Sequence, residues 1–424
     1  MMTTAAPYTG FTADPVVPSR EFLLDPGFVA DRLGHIFGRL VSNCSLRRAK
    51  YRLGESLRVV YDVDADGRKF VMSARTFPDS AAAFERACSS AEPVDGMPGA
   101  AHDPTTQTVW WTLPNDRRLR NLGTLLDPPK RVRESSGVAW DQSVLVQYAP
   151  ERSATVQLLD AQGHITGYAK AYRDRDVMDI AEDYNRVAAS ITVFDGVRTP
   201  RALGWARPDR IVVLEPMRGR TWTQLPADLQ PEAMQRLGRA LGNVHNMPTV
   251  FGRGPFQRYR LERVVNSADL VALARDDVAA DARRLGDRLA EEVPGRGPVV
   301  GLHGDMHTEN VLFHGEEVHI IDFDQGGSGP ASADLGSILA SLLTYQLVNH
   351  DKALDGLSGA LLEGYRSAAT LPSESDLRWF TAAAFVAERA IRAVNRINES
   401  TLAVLPELLA LGEEVLAGKV PLDG

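Results

Sequence analysis

The sequence predicts an α+β protein of two lobes, β-rich in its first half and α-rich in its second, with an extra α/β segment at the N-terminus. Three observations lead there. Two amphipathic hairpins, at 57–75 and 142–172, are each followed by a helical pattern. Beyond residue 250 the pattern is almost wholly helical. A strand–loop–strand stretch at 299–324, dense in polar and acidic residues, interrupts those helices. Segregated strands and helices of this kind favour a site between lobes.

Residues 1–25 carry Pro, Thr and Ala without periodicity and read as an extended or mobile lead-in. Asp25-Pro26 is a helix start, with Asp25 as N-cap and Pro26 in the first turn, where its missing N–H is no loss. Phe28, Val29, Leu33, Ile36 and Phe37 then give that helix one apolar face. Residues 57–63 and 68–75 pair across the turn Asp64-Ala65-Asp66-Gly67. Next come a helix from about Ser80 to Ser89, a strand at Val109–Leu113 and a short helix at Arg117–Leu126, ended by Pro128-Pro129.

The second hairpin comprises Ser143–Tyr148, Ala154–Leu159, a turn at Asp160–Gly163 and the returning strand Ile165–Tyr172. Laid against 51–77, Tyr51 matches Tyr148, Arg58-Val59 matches Thr155-Val156, Gly67 matches Gly163, Arg75 matches Lys170 and Phe77 matches Tyr172. One hairpin-plus-helix unit used twice accounts for this, as does chance likeness between two amphipathic hairpins. Val177–Ile191 is a helical pattern, Arg210–Leu214 a strand and Pro231–His245 a helix. The helical stretches beyond are 259–292, 333–349, 351–369, 375–398 and 402–417.

At 424 residues the chain is long enough for two or three domains with ample cores. Lys and Arg number 47 against 55 Asp and Glu, a net charge of −8, which argues against nucleic-acid or anionic-membrane partners. Two cysteines, Cys44 and Cys88, fit a reducing cytosol better than a disulfide framework. The first ten residues lack the basic and apolar runs of a secretory signal. No stretch approaches the ~18–20 apolar residues of a membrane span; Leu335–Leu347 is too short. A cytoplasmic protein, monomer or homodimer, is expected.

The loop after the apolar strand Val299–Leu302 reads His303-Gly304-Asp305-Met306-His307-Thr308-Glu309-Asn310, and the next strand ends in Ile321-Asp322-Phe323-Asp324. An acid, an amide five positions later and a second acid past the next strand are the layout that phosphoryl transfer from a nucleotide requires. Asp305 is the candidate catalytic base. An unperturbed Asp is a weak base, so its main work is orienting the acceptor hydroxyl, with proton uptake late. Read blandly it is a helix N-cap, but an N-cap does not predict Asn310 and Asp322 at their spacings. Those two are candidate magnesium ligands, because magnesium takes oxygen donors and keeps waters and substrate phosphates beside one or two carboxylates. Asp324 either approaches a second ion or bonds to backbone. His303 reads as a structural buttress of the loop and His307 as solvent-facing. Asp334, opening an apolar helix, reads as its N-cap, as an anchor for the loop through backbone amides, or as both, and in neither role as catalytic.

Lys170 lies on a strand whose alternation would hide it unless it points into a cleft, and a strand lysine is what reaches α/β-phosphates. Its natural helix partner is Glu182, with Asp183 and Asp179 as competitors. No glycine-rich loop precedes it; the turn is Tyr148-Ala149-Pro150-Glu151-Arg152-Ser153, so covering the phosphates falls to Arg152, Ser153 and backbone amides. Val212–Gly219 looks like an adenine-binding hinge. There the Glu215 carbonyl and the Met217 N–H mimic a base-pair edge, and Pro216 between them has no N–H to give. Blandly, it is a strand ending at a proline. In the helix 375–398, Trp379, Phe380, Ala383, Val386, Ala390, Val394 and Ile397 mark the buried side, and Glu388 can pair with Arg392. Arg389, Arg392 and Arg396 read as a solvated basic face; lining an acceptor pocket instead, they would favour a carboxylated or phosphorylated substrate.

The strings at 303–310 and 322–324 match the protein-kinase patterns H-R-D-x-x-x-x-N and D-F-G, with Gly304 for the Arg and Asp324 for the Gly. Together with Tyr148–Arg152, Lys170, Glu215–Gly219, Leu241–His245 and Asp322–Gly336 they resemble the aminoglycoside phosphotransferase and choline kinase family, over about 140–345. The resemblance implies a protein-kinase-like α+β fold of two lobes, an ATP or GTP donor with Mg2+, and a small-molecule hydroxyl acceptor. It implies a kinase-like N-lobe at 136–216 and a helical C-lobe at 217–424. Residues 1–135 are similar to the N-terminal cap domain of bacterial maltokinases and glucosamine kinases. The acceptor implied is a sugar, an amino sugar or a glycosylated antibiotic. A nucleotide-binding pseudo-kinase is the competing reading, supported only by the missing glycine loop. Gly304 and the short 322–334 segment disfavour a protein kinase.

Overall fold

A computed structural model describes residues 10–247, 258–295, 297–350 and 356–422. The chain divides into two compact units, one built from residues through Met178 with Leu203–Leu214 and Val394–Ile397, the other from the remainder. Residues 1–9 of the expected lead-in lie outside the described residues, and a short helix, Arg20–Leu24, ends that segment.

The first unit holds two five-stranded sheets. The helix Pro26–Phe37 precedes the first, capped as the sequence dictates: Asp25 Oδ1 accepts from the N–H of Gly27 (2.8 Å) and Phe28 (3.2 Å). Val41–Arg52, Ser56–Ala65 and Arg68–Thr76 form a meander, the helix Ser80–Cys88 comes next, and Ala100–Asp103 with Thr108–Thr112 returns to pair against Arg68–Thr76. The second sheet repeats the plan. Gln142–Ala149, Ser153–Leu159 and Ile165–Tyr172 meander, the helix Val177–Ile191 intervenes, and Ala202–Ala206 with Ile211–Leu214 returns against Ile165–Tyr172.

The likeness extends to register. Tyr51 faces Leu57 and Arg58 faces Arg75 in the first sheet; Tyr148 faces Ala154 and Thr155 faces Lys170 in the second. Arg75 is also opposite Val109, as Lys170 is opposite Val212. Shared order and shared register favour duplication over chance likeness. Arg75 thus occupies the ladder position of Lys170. Three strands of these sheets escaped the sequence pattern, Val41–Arg52, Ala100–Asp103 and Ala202–Ala206. Val41–Arg52 carries charges on its exposed face and register shifts at 41/43 and 46/48, and Ala100–Asp103 is only four residues long. The expected helix at 117–126 is shorter, Leu122–Leu126, because Asp116 Oδ1 takes the N–H groups of Arg118 and Leu119 in a turn. Its Leu122 and Leu125 join Val60, Val156, Ala169 and Ile211 in one apolar core.

The second unit is mainly helical. Leu261–Ala274 and Ala279–Glu291 replace the single stretch expected at 259–292, broken at Arg275, whose guanidinium binds Asp277. Residues 351–355 lie outside the described part of the stretch read at 351–369; Leu357–Arg366 is its helix. That helix meets Gln230–Asn246 at backbone contact: a Cβ on Gly364 would lie 1.8 Å from the Gln235 carbonyl oxygen, and one on Gly238 1.9 Å from that of Leu361. No side chain fits at either point. The C-terminal stretch is two helices, Glu399–Ala403 and Leu405–Leu416, the second opened by Pro406. Ser332–Asn349 is the central helix, buried on nearly every side along its first eleven residues, which explains its near-continuous apolar sequence. No described helix is long and apolar enough to cross a membrane.

The helix read at 375–398 begins as Glu374–Ala384, passes through a π-helical segment Phe385–Ala390 and resumes as Ile391–Arg396. Between the helices lie the hairpin Val311–His314 with Glu317–Ile320, joined in parallel by Val197–Arg198, and the pair Val299–Leu302 with Gly327–Pro330. This is the two-lobed kinase-like α+β fold the sequence predicted: a β-rich N-lobe, a helical C-lobe and an additional N-terminal α/β region.

Candidate active site

The loop 303–310 is held from below by a carboxylate. Asp334 accepts from the N–H of His303 (2.7 Å) and of Gly304 (2.9 Å) through its two oxygens. Gly304 sits at φ 78°, a left-handed conformation that a side chain resists and that turns its N–H inward. Asp334 lies inside the helix Ser332–Asn349, whose N-cap is Ala331, so of its two readings the loop anchor holds and the cap does not. Its remaining neighbour is His245 Nε2 at 3.3 Å, whose Nδ1 meets the Tyr365 hydroxyl at 2.9 Å. His303 is the expected buttress. It is fully buried, its Nε2 donates to the Ile321 carbonyl (2.8 Å) and its Nδ1 accepts from the Asp305 N–H (3.3 Å).

Register brings the polar residues together. Val311 faces Ile320, so Asn310 and Ile321 flank the open end of one hairpin, and the Ile321 N–H donates to the Asn310 carbonyl at 2.9 Å. Asn310 Nδ2 donates to the Asp305 carbonyl at 3.0 Å, which orients the amide and turns Oδ1 the other way. Phe323 is buried edge-on against the His303 ring, with centroids 4.5 Å apart. Its neighbours Asp322 and Asp324 are both partly exposed. Asp322 takes a left-handed backbone, φ 66° and ψ 51°, a conformation that costs a non-glycine residue energy and collects at functional sites. Asp324 accepts from the buried Tyr184 hydroxyl (3.1 Å), a side-chain partner the sequence did not suggest.

Two arginines converge on Asp305. Arg258 Nη1 (2.9 Å) and Arg392 Nη2 (2.5 Å) both donate to Oδ1, leaving Oδ2 without a partner among the described residues. Burial opposes the charge on Asp305, but Arg258 and Arg392 outweigh it and hold the carboxyl far below the usual carboxylate range. The same Arg258 nitrogen reaches Glu388 Oε1 at 3.1 Å. Glu388 is wholly buried and saturated: the Tyr259 hydroxyl donates to Oε1, and Ser337 Oγ (2.8 Å) and Arg389 Nη2 (3.1 Å) donate to Oε2. His307, expected in solvent, is half-buried, and burial with Arg389 and Arg392 pushes it down to about 3 against the pull of Asp305.

Among the described residues no group of three or more His, Cys, Asp and Glu side chains is placed to hold a metal by itself. The oxygens of Asn310, Asp322 and Asp324 are nevertheless a hard donor set, and they suit a magnesium ion that brings its own waters and phosphate oxygens.

The remaining expected residues lie elsewhere. Glu215 and Met217 follow the strand Ile211–Leu214; the Glu215 N–H is taken by the Arg201 carbonyl (2.8 Å) and its carboxylate by the Arg201 side chain (3.1 Å). Glu182 points to solvent, its side chain 65% exposed and 4.0 Å from Arg186, whereas Asp183 beside it is buried. Lys170 and Ser153 belong to the second sheet, where Ser153 faces Tyr172 and Thr155 faces Lys170, and Arg152 ends the turn before Ser153. The turn before Ser153 is locked without glycine. Glu151 adopts φ 65°, its N–H bonds Asp116 (2.9 Å), and its buried carboxylate binds Arg58, Arg75 and Arg117 at 3.1, 2.8 and 3.1 Å. Arg152 next to it is exposed, and with Arg396, Arg52 and Arg48 it helps burial push Lys50 down to about 8.

Three arginine placements differ from expectation or went unseen. Arg389 and Arg392 are 15% and 24% exposed and turned inward; of the stripe only Arg396 meets solvent. Arg392 goes to Asp305 rather than to Glu388, the partner its spacing suggested. The expected buried side holds through the π segment, with Val386, Ala390 and Val394 all buried, and the two arginines are drawn inward by the carboxylates of Glu388 and Asp305. Arg258 stands outside any helix, where no periodicity marks it.

Comparison with known proteins adds the family. Residues 141–380, more than half the chain, match the model of the phosphotransferase enzyme family. No curated protein matches. Among solved structures the chain is similar to an amicoumacin kinase in complex with AMP-PNP, Ca2+ and Ami: 17% identity, 68% of this chain and 93% of that one, TM-score 0.48. It is similar to an aminoglycoside phosphotransferase from Streptomyces rimosus, at 19% identity, 64% and 97% coverage and TM-score 0.43. A choline/ethanolamine kinase family protein from Mesorhizobium loti shares 15% identity over 66% and 90%, with TM-score 0.44. With more than half its length matched by the family model, the chain belongs to the phosphotransferase enzyme family.

Proposed function

We propose that the protein transfers the γ-phosphoryl group of ATP, as its magnesium complex, to a hydroxyl of a sugar, an amino sugar or a glycosylated antibiotic. The observation that carries this reading is the junction of Asp305, Asn310 and Asp322 at one hairpin end, with Asp305 Oδ2 open. In this reading Oδ2 accepts the bond from the acceptor hydroxyl and takes its proton late in an in-line displacement. Arg258 and Arg392 keep Asp305 ionised, so it orients the hydroxyl at every working pH. Asn310 and Asp322, with Asp324 beside them, hold the metal, which when bound neutralises charge on the phosphates. Lys170 and Arg152 bind phosphate oxygens, Ser153 and its neighbours cover them, and the Glu215 carbonyl and Met217 N–H receive the base. Residues 1–135 act as a cap, 136–216 as the N-lobe and 217–424 as the C-lobe.

Labelled γ-phosphate should move to a hydroxyl compound in a screen of sugars, amino sugars and glycosylated antibiotics, and EDTA should stop it. Transfer that persists after metal removal, or nucleotide binding without any transfer, would count against the reading.

A second result concerns the helix acid. A lysine partner must be shielded from solvent to be effective, and on Val177–Ile191 Asp183 is shielded while Glu182 is not. Asp183→Ala is therefore expected to raise the KM for ATP about ten-fold or more, and Glu182→Ala less than two-fold. Steady-state kinetics that reverse this order would return the role to Glu182.

A further inference from the structure

The charges around Asp305 bear on which acceptors it suits. Arg258, Arg389 and Arg392 are 12%, 15% and 24% exposed, and the carboxylates they share are those of Asp305 and Glu388. Within this cluster three guanidinium groups meet two carboxylates, and His307 between them adds no charge of its own at neutral pH. Glu388 has no capacity left, because four donors already fill its two oxygens. Arg389 Nε is buried with no hydrogen-bond partner among the described residues, although a buried donor is costly to leave open. Arg392 shares Oδ1 of Asp305 with Arg258 and has no other acceptor among the described residues. The π-helical segment widens the backbone where Glu388 and Arg389 emerge, a deformation found most often at functional sites.

We propose that the acceptor carries an anionic group, a carboxylate or a phosphate monoester, bound by Arg389 and Arg392 a few bonds from the hydroxyl presented to Asp305. The proposal rests on the phosphotransferase reading, because it names what that site accepts. Guanidinium groups pair with either anion through parallel N–H···O bonds. Such an anion meets the partly exposed guanidinium groups of Arg389 and Arg392, balances the positive charge of the cluster and shares Arg392 with Asp305. A polycationic acceptor would instead face a wall of like charge.

The test is calorimetric titration of the full chain with inorganic phosphate and, in a second arm, with glucuronate; glucose and glucosamine serve as neutral and cationic controls. At least one anion is expected to bind ten-fold or more tightly than glucose, and glucosamine no better than glucose. Arg392→Gln and Arg389→Gln should each weaken the anion ten-fold or more; the more exposed Arg392 keeps the test valid if the Arg389 variant fails to fold. Binding of one anion but not the other separates phosphate from carboxylate. Anions that bind no better than glucose, or equally to wild type and the Arg392 variant, overturn the proposal. The second pattern is what phosphate bound on the nucleotide side would give. ATP·Mg is titrated separately, so failure of the phosphotransferase reading would appear there and not in the anion arms.

Discussion

Replacing Asp305 by alanine should lower the rate of transfer by about 10³-fold or more while moving the dissociation constant for ATP·Mg less than about three-fold. A positioned base contributes ~10²–10⁴-fold, and here the same side chain also orients the acceptor. The remaining framework does not depend on its carboxylate. The backbone of the loop is held by Asp334, and Asn310 bonds the Asp305 carbonyl rather than its side chain. Asp305→Ala does free Arg258 and Arg392, so the variant gains local positive charge and should keep its nucleotide. Asp305→Asn should be nearly as slow, because it retains a shape at Oδ2 but not a proton acceptor. Single-turnover transfer and equilibrium nucleotide binding measured on one preparation decide the matter; a variant turning over within ten-fold of wild type would remove Asp305 from the chemistry. In the wild type no acid limb from Asp305 should appear above about pH 4, since its carboxyl is held below the usual carboxylate range. With Arg392→Gln the limb should move upward, toward that range.

Replacing Glu388 by alanine should cost about 3–5 kcal/mol of stability, the usual loss when one side of a buried ion pair is removed. On a protein of this size that is a fall in Tm of about 3–6 °C. The cause is the set of groups left behind: Arg258 and Arg389 deprived of their shared acid, and the Tyr259 and Ser337 hydroxyls deprived of their acceptor. Glu388→Gln keeps an acceptor for the hydroxyls and should lose less. The pH dependence has a definite sign. Burial opposes the charge on Glu388, but Arg258, Arg389 and Arg392 hold it at about 2, below its ordinary 4.5. The unfolded chain therefore binds the proton first. The stabilisation is complete above pH 4.5 and is lost as pH falls toward 2. Calorimetric unfolding of wild type and both variants across that window checks it. Equal loss at pH 7 and pH 3 would show that the network contributes by packing and not by charge.

How far the sequence reached depends on whether the signal was local. The spacing of Asp305, Asn310 and Asp322 was readable because a loop, a hairpin and the turn after it must bring those positions to one end of two paired strands. The match of Arg75 to Lys170 was readable because duplicated strands keep the same two-residue alternation and the same ladder partners. Asp25 as a cap and Gly67 in a turn were equally local. Glu182 against Asp183 was not decided by pattern: both are acids on one helical turn, and only packing showed which of them is buried. Val41–Arg52 looked unlike a strand because its exposed face is charged and its ladder is bulged.

By itself the sequence determined the α+β architecture and the acid–amide–acid string, since each is written in residues near one another along the chain, whereas the repeated unit needed strand order and register to separate it from chance. Only the tertiary structure decided the surroundings of that string. Arg258 and Arg392 reach Asp305 across 47 and 87 residues, and Arg258 reaches Glu388 across 130. Contacts at such separation leave no period in a sequence, and the acids that draw Arg389 and Arg392 inward cannot be read from helical spacing. Two charges that read as part of a solvated stripe, Arg389 and Arg392, are in the fold paired with the carboxylates of Glu388 and Asp305.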